Sequence, residues 1–291
     1  KAVKYQGELI GPYHIQIGEL YSDYDSAKKL LEGIKALIPG SYLAYDGGWK
    51  VWSGLFMDEK QCLEKISTYQ SQNKSYTFKM VEPDPKRIQM VNTNDNSVLL
   101  IYKSQQISIV PSNNGDSSEL LEFNGAKYRG NILLKLQNEG SISVINDLPF
   151  DEYLYSVVGS EVNPSWHIEA LKAQAVAARN YAMINIGKHA QEGYDLCSST
   201  HCQAYKGYAK ESPSINQAVA ETKGKLLFYN DELATTFYHS SSGGHTENSE
   251  NIWSDAIPYI RGVDDPFSLG SPNDEWTFSL ENKEISQKLA D

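Results

Sequence analysis

Cysteine is scarce in this chain, with three residues in 291, too few for the disulfide scaffold of a small secreted domain. Long apolar runs are missing too: no stretch approaches the roughly 20 residues that cross a bilayer. Basic charge is short. Twenty-six Lys and Arg face 37 Asp and Glu, a formal net charge of -11, which argues against nucleic acid or anionic lipid as the main partner. A neutral polymer such as a glycan is compatible with that charge. No apolar leader precedes Lys1, as in a processed or truncated product. What is present is ordinary globular composition, 40% hydrophobic and 22% charged, with length enough for two domains. Nineteen Tyr and five Trp suit a protein that grips sugars, although most aromatics fill cores and surfaces.

The first part of the chain repeats itself. Tyr13, Ile15 and Ile17 alternate with polar residues, and Gly18 ends the strand they form. A helix follows from about Asp25, with Ala27, Leu30, Leu31, Ile34 and Leu37 on one face, and Pro39-Gly40 stops it. Ser41 to Tyr45 and Trp49 to Ser53 read as a hairpin turning at Asp46-Gly47-Gly48. Gly54-Leu55-Phe56, then Cys62, Leu63 and Ile66, restate the strand–Gly–helix order, and Thr77 to Val81 closes the set. Cys62 reads as a buried, inert thiol. The expectation is a small ferredoxin-like βαββαβ domain over residues 1–83, with helices on one sheet face. Pro83 and Pro85 mark its end. A second domain is expected over 84–291, α+β in class, with a β-rich lead-in over 86–146. Its strands are Ser97 to Tyr102, Ile107 to Val110, Tyr128 to Leu136 and Ile142 to Ile145, and Ser112 to Ser118 is a polar loop.

The segments HIQIGELYSDYDSAKKLLEGI and WKVWSGLFMDEKQCLEKI resemble the two halves of a SPOR-type domain. That resemblance implies binding to septal peptidoglycan stripped of its stem peptides. A ferredoxin-like domain of other use is the alternative.

The most informative stretch is LPFDEYLYSVVGSEVNPSWHIEALKAQAVAARNYA. Pro149, Asp151 and Glu152 suit the start of a helix. Gly159 weakens that helix and Pro164 restricts the residue before it, so the chain turns near Glu161. Asn163-Pro164 then reads as the N-cap and first residue of a long central helix carrying Ile168, Leu171, Ala175, Ala178 and Ala182 on one narrow face. Glu161 falls at the helix junction between Val158 and Val162. A carboxyl there would be partly desolvated and suited to donate a proton; a plain junction or capping carboxylate is the alternative.

This stretch, with CSSTHCQAYKG, AVAETKGKLLFYN and FYHSSSGGHTENSENIWSDAIPYIRGV, resembles in order four blocks of the SpoIID/LytB family, which includes stage II sporulation protein D and the amidase enhancer. The resemblance implies an exported, cell-wall-located lytic transglycosylase. Such an enzyme cuts between N-acetylmuramic acid and N-acetylglucosamine in peptidoglycan strands, leaving 1,6-anhydromuramyl ends. The family's catalytic glutamate falls on Glu161, and Lys172 and Arg179 fall on polar positions it uses near the active site. For each of these two, a solvated helix face with a structural salt bridge is the alternative. The LytB branch implies a different class of function, a non-catalytic enhancer partnered with a cell-wall amidase. A muramidase that admits water is a third reading.

Cys197, His201 and Cys202 lie in one short loop, and His189 is the nearest further candidate. Thiolate and imidazole are good zinc ligands, and a closed set of four would make a structural Zn2+ site. A Cys197–Cys202 disulfide is the rival. In YHSSSGGHTE, small residues let a polymer approach the backbone. His239, Ser242, Gly243, Gly244, His245, Thr246 and Glu247 are therefore candidates for the glycan groove, with Tyr205 and Trp253 as sugar-stacking rings and a core position as the alternative for Trp253. A Ser242/His hydrolase lacks the strand–elbow context that such a nucleophile needs.

Overall fold

The computed structural model describes residues 11–270 except 93, 95–96, 112–118 and 138–140, together with 277 and 279. The Ser112 to Ser118 loop and the helix-like run ending at Asp291 lie outside the described residues. The class is α+β, as expected, with sheets and six α-helices among the described residues.

The first unit follows the expected β-α-β-β-α-β order: β1 (Tyr13–Tyr21), α1 (Tyr24–Ile34), β2 (Ser41–Tyr45), β3 (Trp49–Phe56), α2 (Glu59–Gln72) and β4 (Phe78–Val81). Asp23 and Asp58 cap the two helices, each accepting the backbone N–H three residues on, which satisfies a donor left free in the first turn. Gly18 does not end β1. It sits at a left-handed φ of 71° inside the strand, which continues to Tyr21. Both helices cover the face carrying Ile15, Ile17, Leu43, Val51 and Phe78.

Hydrogen bonding carries this sheet past the expected boundary at residue 83. Strands β5 (Arg87–Val91) and β6 (Val98–Lys103) extend it in the order β4-β1-β3-β2-β6-β5, with β6 parallel to β2. The expected lead-in is thus divided. The sheet curls until Gln89 on β5 comes within 3.4 Å of His14 on β1. The second face therefore closes over Tyr42, Ala44, Trp52 and Ile101.

His14 is fully buried there, stacked on Trp52 and bonded through Nδ1 to the Gly54 carbonyl at 3.0 Å. Burial, with a smaller push from Arg87, brings its pKa down to about 4 from 6.5 despite the Gly54 bond. The unfolded chain therefore binds a proton across pH 4 to 6.5 that the folded chain refuses, and stability falls as pH drops through that window. The expected loss between pH 7 and pH 5 is about 2 kcal/mol, read by urea unfolding. His14→Gln should flatten this part of the profile; an unchanged slope would remove His14 as its cause.

The second unit has a sheet of β7 (Gln106–Ile109), β10 (Asn131–Leu136) and β11 (Ile142–Asp147), ordered β11-β10-β7, beside a hairpin of β8 (Leu121–Phe123) and β9 (Ala126–Tyr128). The single strand expected from Tyr128 to Leu136 is broken by Gly130. Its φ is 69° and an added Cβ would lie 2.3 Å from the Asp147 carbonyl oxygen. Three helices follow: α3 (Phe150–Glu161), α4 (Ile168–Asn185) and α5 (Pro213–Glu221). Their shared core is Leu154, Val157, Val158, Ala175, Ala178, Ile215 and Val219. The small residues of α4 let the three helices close together.

The long helix starts later than Asn163-Pro164 suggests. Asn163 Oδ1 instead accepts from the Ser165 N–H and hydroxyl, closing a local turn, and His167 caps α4. This competition between a side-chain turn and a helix cap is usual for Asn. The remaining described elements are the hairpin β12 (Phe228–Tyr229) and β13 (Glu232–Leu233), the short α6 (Ser249–Trp253), and 3-10 turns at Ala190–Glu192, Tyr208–Lys210 and Pro266–Ser268.

Candidate functional site

Glu161 is the last residue of α3, and Val162 leaves the helix in extended conformation. The turn falls where the sequence places it, but Glu161 itself is exposed while Val158 is buried. The partial desolvation expected for its carboxyl is absent, because the side chain leaves the helix end outward rather than into the α3–α4 contact.

What fixes this helix end is Gly159. A Cβ there would stand 1.9 Å from the Lys210 carbonyl oxygen, so only glycine admits the 3-10 turn Tyr208–Lys210 against α3. Gly159→Ala gains about 0.5–1 kcal/mol in helix propensity but must displace backbone, which costs roughly 1–3 kcal/mol. The expected outcome is a net loss of about 1–2 kcal/mol in urea unfolding; a stabilised variant would contradict the close approach.

The sequence-predicted residues divide into those placed for binding and those held elsewhere. Arg179 is 2% exposed and points into the end of α5, where its guanidinium donates to the Val219 and Lys225 carbonyls and to Thr222 Oγ1. It is therefore a buried clasp between α4 and α5 and is not open to a glycan. Lys172 is ion-paired with Glu169 at 2.9 Å and Glu221 at 2.6 Å, facing the same helix. Tyr205 is no open sugar platform either. It stacks on both Tyr128 and Tyr153, and its hydroxyl donates to Asn146.

Ser242 bonds Asp265 Oδ2 at 2.7 Å and Ser268 Oγ at 2.8 Å. No imidazole is among these partners, which leaves the Ser/His hydrolase reading without a base. Gly243 and Gly244 turn at φ 65° and 101°, and the Gly244 N–H donates to Ser268 Oγ. The Ser-Gly-Gly turn is thereby pinned to the 265–268 segment. His239 is exposed beside it. His245 pairs with Asp264 across an isolated bridge. Glu247, exposed, accepts from the Asn248 N–H and the Asn251 amide, bonds that hold its carboxyl below the usual range. Trp253 is 48% exposed and stacks on Phe237 with ring centres 4.0 Å apart, a surface aromatic pair rather than a core one.

The structure brings His189, Cys197, His201 and Cys202 together, with their ligand atoms all within 4.8 Å of one another. The Cys197 and Cys202 sulfurs lie 3.6 and 3.7 Å from His201 Nδ1. Bond lengths to tetrahedral zinc require ligand atoms about 3.3–3.8 Å apart, so these two contacts already fit. His189 Nδ1 bonds Glu192 Oε1 at 2.8 Å. A carboxylate only accepts, so Nδ1 carries the hydrogen and the Nε2 lone pair faces the cluster, buried and without a hydrogen-bond partner. An orphaned ring nitrogen backed by a carboxylate is the arrangement of a metal-binding histidine. Tyr194 in turn donates to Glu192 at 2.6 Å. Both cysteines are free thiols. Burial works against ionising Cys197, but hydrogen bonds from Ser199, His201 and Cys202 outweigh it and bring the thiol down to about 5. Burial raises Cys202.

Two participants escaped the sequence reading. Gln203 follows Cys202 and is 1% exposed, and Tyr238 precedes His239; the two are hydrogen-bonded. The position of Gln203 next to a candidate ligand is the one advance signal either carried.

Comparison with known proteins bears on the same region. Residues 138–229 match the sequence model of the family described as "Stage II sporulation protein", SpoIID. The amidase enhancer of Bacillus subtilis is 39% identical over 138 residues, 47% of this chain and 18% of that protein. Stage II sporulation protein D of the same organism is 34% identical over 160 residues, 50% of this chain and 47% of its own length. An uncharacterized protein of Brachyspira hyodysenteriae is 37% identical over 169 residues, covering 58% of this chain and 45% of the relative. The chain thus spans less than half the length of each of these relatives. The family match contains Glu161 and the whole His/Cys cluster, and stops short of Tyr238.

Proposed function

We propose that this chain, a member of the SpoIID/LytB family through residues 138–229, is an exported cell-wall protein that cleaves peptidoglycan glycan strands as a lytic transglycosylase. The observation that carries this reading is Glu161, an exposed carboxyl at the end of α3, two residues beyond the close approach of Lys210 to Gly159, inside the matched segment. In the first step it protonates the glycosidic oxygen as the bond to the muramyl anomeric carbon breaks. In the second it takes the proton of the muramyl C6 hydroxyl as that oxygen closes the 1,6-anhydro ring. One carboxyl thus serves twice, whereas hydrolytic glycosidases ordinarily place two carboxyls about the bond.

His189, Cys197, His201 and Cys202 would hold Zn2+, which when bound supplies a structural cross-link and no open coordination position. The glycan-binding role of the first unit is a separate proposal. Its Tyr42 and Trp52 are buried, so sugar contacts there fall to outward-facing residues. No helix among the described residues is long and apolar enough to cross a membrane.

Denuded glycan strands incubated with the protein should yield anhydromuramyl ends by mass spectrometry. Reducing ends would replace this reading with a muramidase. A second reading, a non-catalytic enhancer that works with a cell-wall amidase, is favoured by the likeness to the amidase enhancer. It expects no glycan cleavage, but faster stem-peptide removal by an added amidase.

A further inference from the structure

The buried side chain of Gln203 has both its amide hydrogens and one lone pair of its oxygen committed to protein. Its Nε2 donates to the Ala178 carbonyl at 3.2 Å and to Tyr238 Oη at 3.1 Å, while Oε1 accepts from Tyr153 Oη at 3.2 Å. The Ala178 carbonyl can only accept, so the amide cannot flip without setting two oxygens against each other. Both amide hydrogens are therefore spent, one of them on Tyr238 Oη. The tyrosine oxygen accepts, and its own O–H has no acceptor among the described residues. Tyr238 is half-buried and leads directly into His239 and the Ser-Gly-Gly turn. Burial raises its pKa, outweighing the Gln203 bond, which lowers it, and the Glu161 charge adds a smaller push upward. The phenol thus keeps its proton and stands within electrostatic reach of the carboxyl.

We propose that Gln203 is a positioning residue that holds the Tyr238 hydroxyl as an outward hydrogen-bond donor to the bound glycan. The inference rests on the glycan-strand reading above and adds a specific donor to it. It also gives the His/Cys cluster a route to the site, because Gln203 adjoins Cys202 and is carried on the same loop. A fixed donor of this kind stabilises an oxygen that gains charge during bond breaking, and it does so without reorganising when the reaction occurs.

The test uses the full chain and three variants: Tyr238→Phe, which keeps the ring and removes the hydroxyl, Gln203→Glu, and the double variant. Cleavage of denuded glycan should fall about 10²-fold in kcat/KM for Tyr238→Phe. Gln203→Glu should fall similarly, and the double variant no further than Tyr238→Phe alone. Such non-additivity marks two residues acting through one group. A merely structural Gln203 would instead add its loss to that of Tyr238→Phe and lower the melting temperature in proportion.

A second readout does not need turnover. In a Glu161→Gln background, Tyr238→Phe should weaken binding of denuded glycan strands about 3- to 10-fold, the scale of one hydrogen bond. If the parent cleaves and binds while Tyr238→Phe matches it in both assays, this inference alone is overturned. Should the parent bind no glycan, it falls together with the reading it rests on.

Discussion

Glu161→Gln should lower glycan cleavage by roughly 10²- to 10⁴-fold, the range that a positioned general acid/base contributes. The effect should fall toward the upper part of that range, because in the proposed mechanism the same carboxyl acts in both halves of the reaction. Glutamine keeps the size and the hydrogen-bonding reach of the side chain but can neither release nor accept the proton. The loss should therefore appear in kcat, with KM little changed. Folding should be unaffected: Glu161 is exposed at the end of α3 and belongs to no core. A variant that retained parental kcat would leave the carboxyl no chemical role and return the protein to the enhancer reading.

Chelation is the second large effect. The Nε2 of His189 is buried without a partner, and the two thiols crowd one imidazole nitrogen. Such a cluster is costly when empty and favourable when it holds a cation. A metal present at a thousand times its dissociation constant stabilises the folded state by about 4 kcal/mol, and each kcal/mol moves Tm by about 2–4 °C in a unit of this size. Removing the proposed zinc should therefore lower Tm by roughly 10 °C. Re-addition of zinc at one equivalent should restore it, and Cys197→Ser should melt low with or without chelator. A protein purified without metal, with Cys197 and Cys202 joined and a melt insensitive to chelator, would establish the disulfide instead.

Much of this was legible in the sequence, for identifiable reasons. The βαββαβ unit announced itself because strand alternation and helical periodicity are local signals, sharpened by the Pro39-Gly40 stop and the Asp46-Gly47-Gly48 turn. The four candidate metal ligands were legible because three of them share one loop. Other features depend on distant contacts. Nothing local tells that β6 will pair with β2, so the first sheet ran past Pro83 and Pro85 unseen. Arg179 read as a polar helix position, yet α5, some 40 residues on, supplies the carbonyls that bury it. Gly159 looked like a weak point in a helix and proves to be the residue that lets Lys210 approach. Glu161 was placed at the correct turn but with the wrong exposure, since apolar neighbours in sequence do not fix the direction of a side chain at a helix end. The Gln203–Tyr238 bond links residues 35 apart and leaves no periodic trace.

The central claim is that Glu161 directs the muramyl C6 hydroxyl, and not water, onto the anomeric carbon. Cleavage of denuded glycan in water enriched in oxygen-18 tests it most directly. The account predicts new ends lighter by one water than hydrolysis products, free of oxygen-18, and absent when Glu161→Gln replaces the parent. Reducing ends labelled with oxygen-18, or anhydro ends formed equally well by Glu161→Gln, would contradict it.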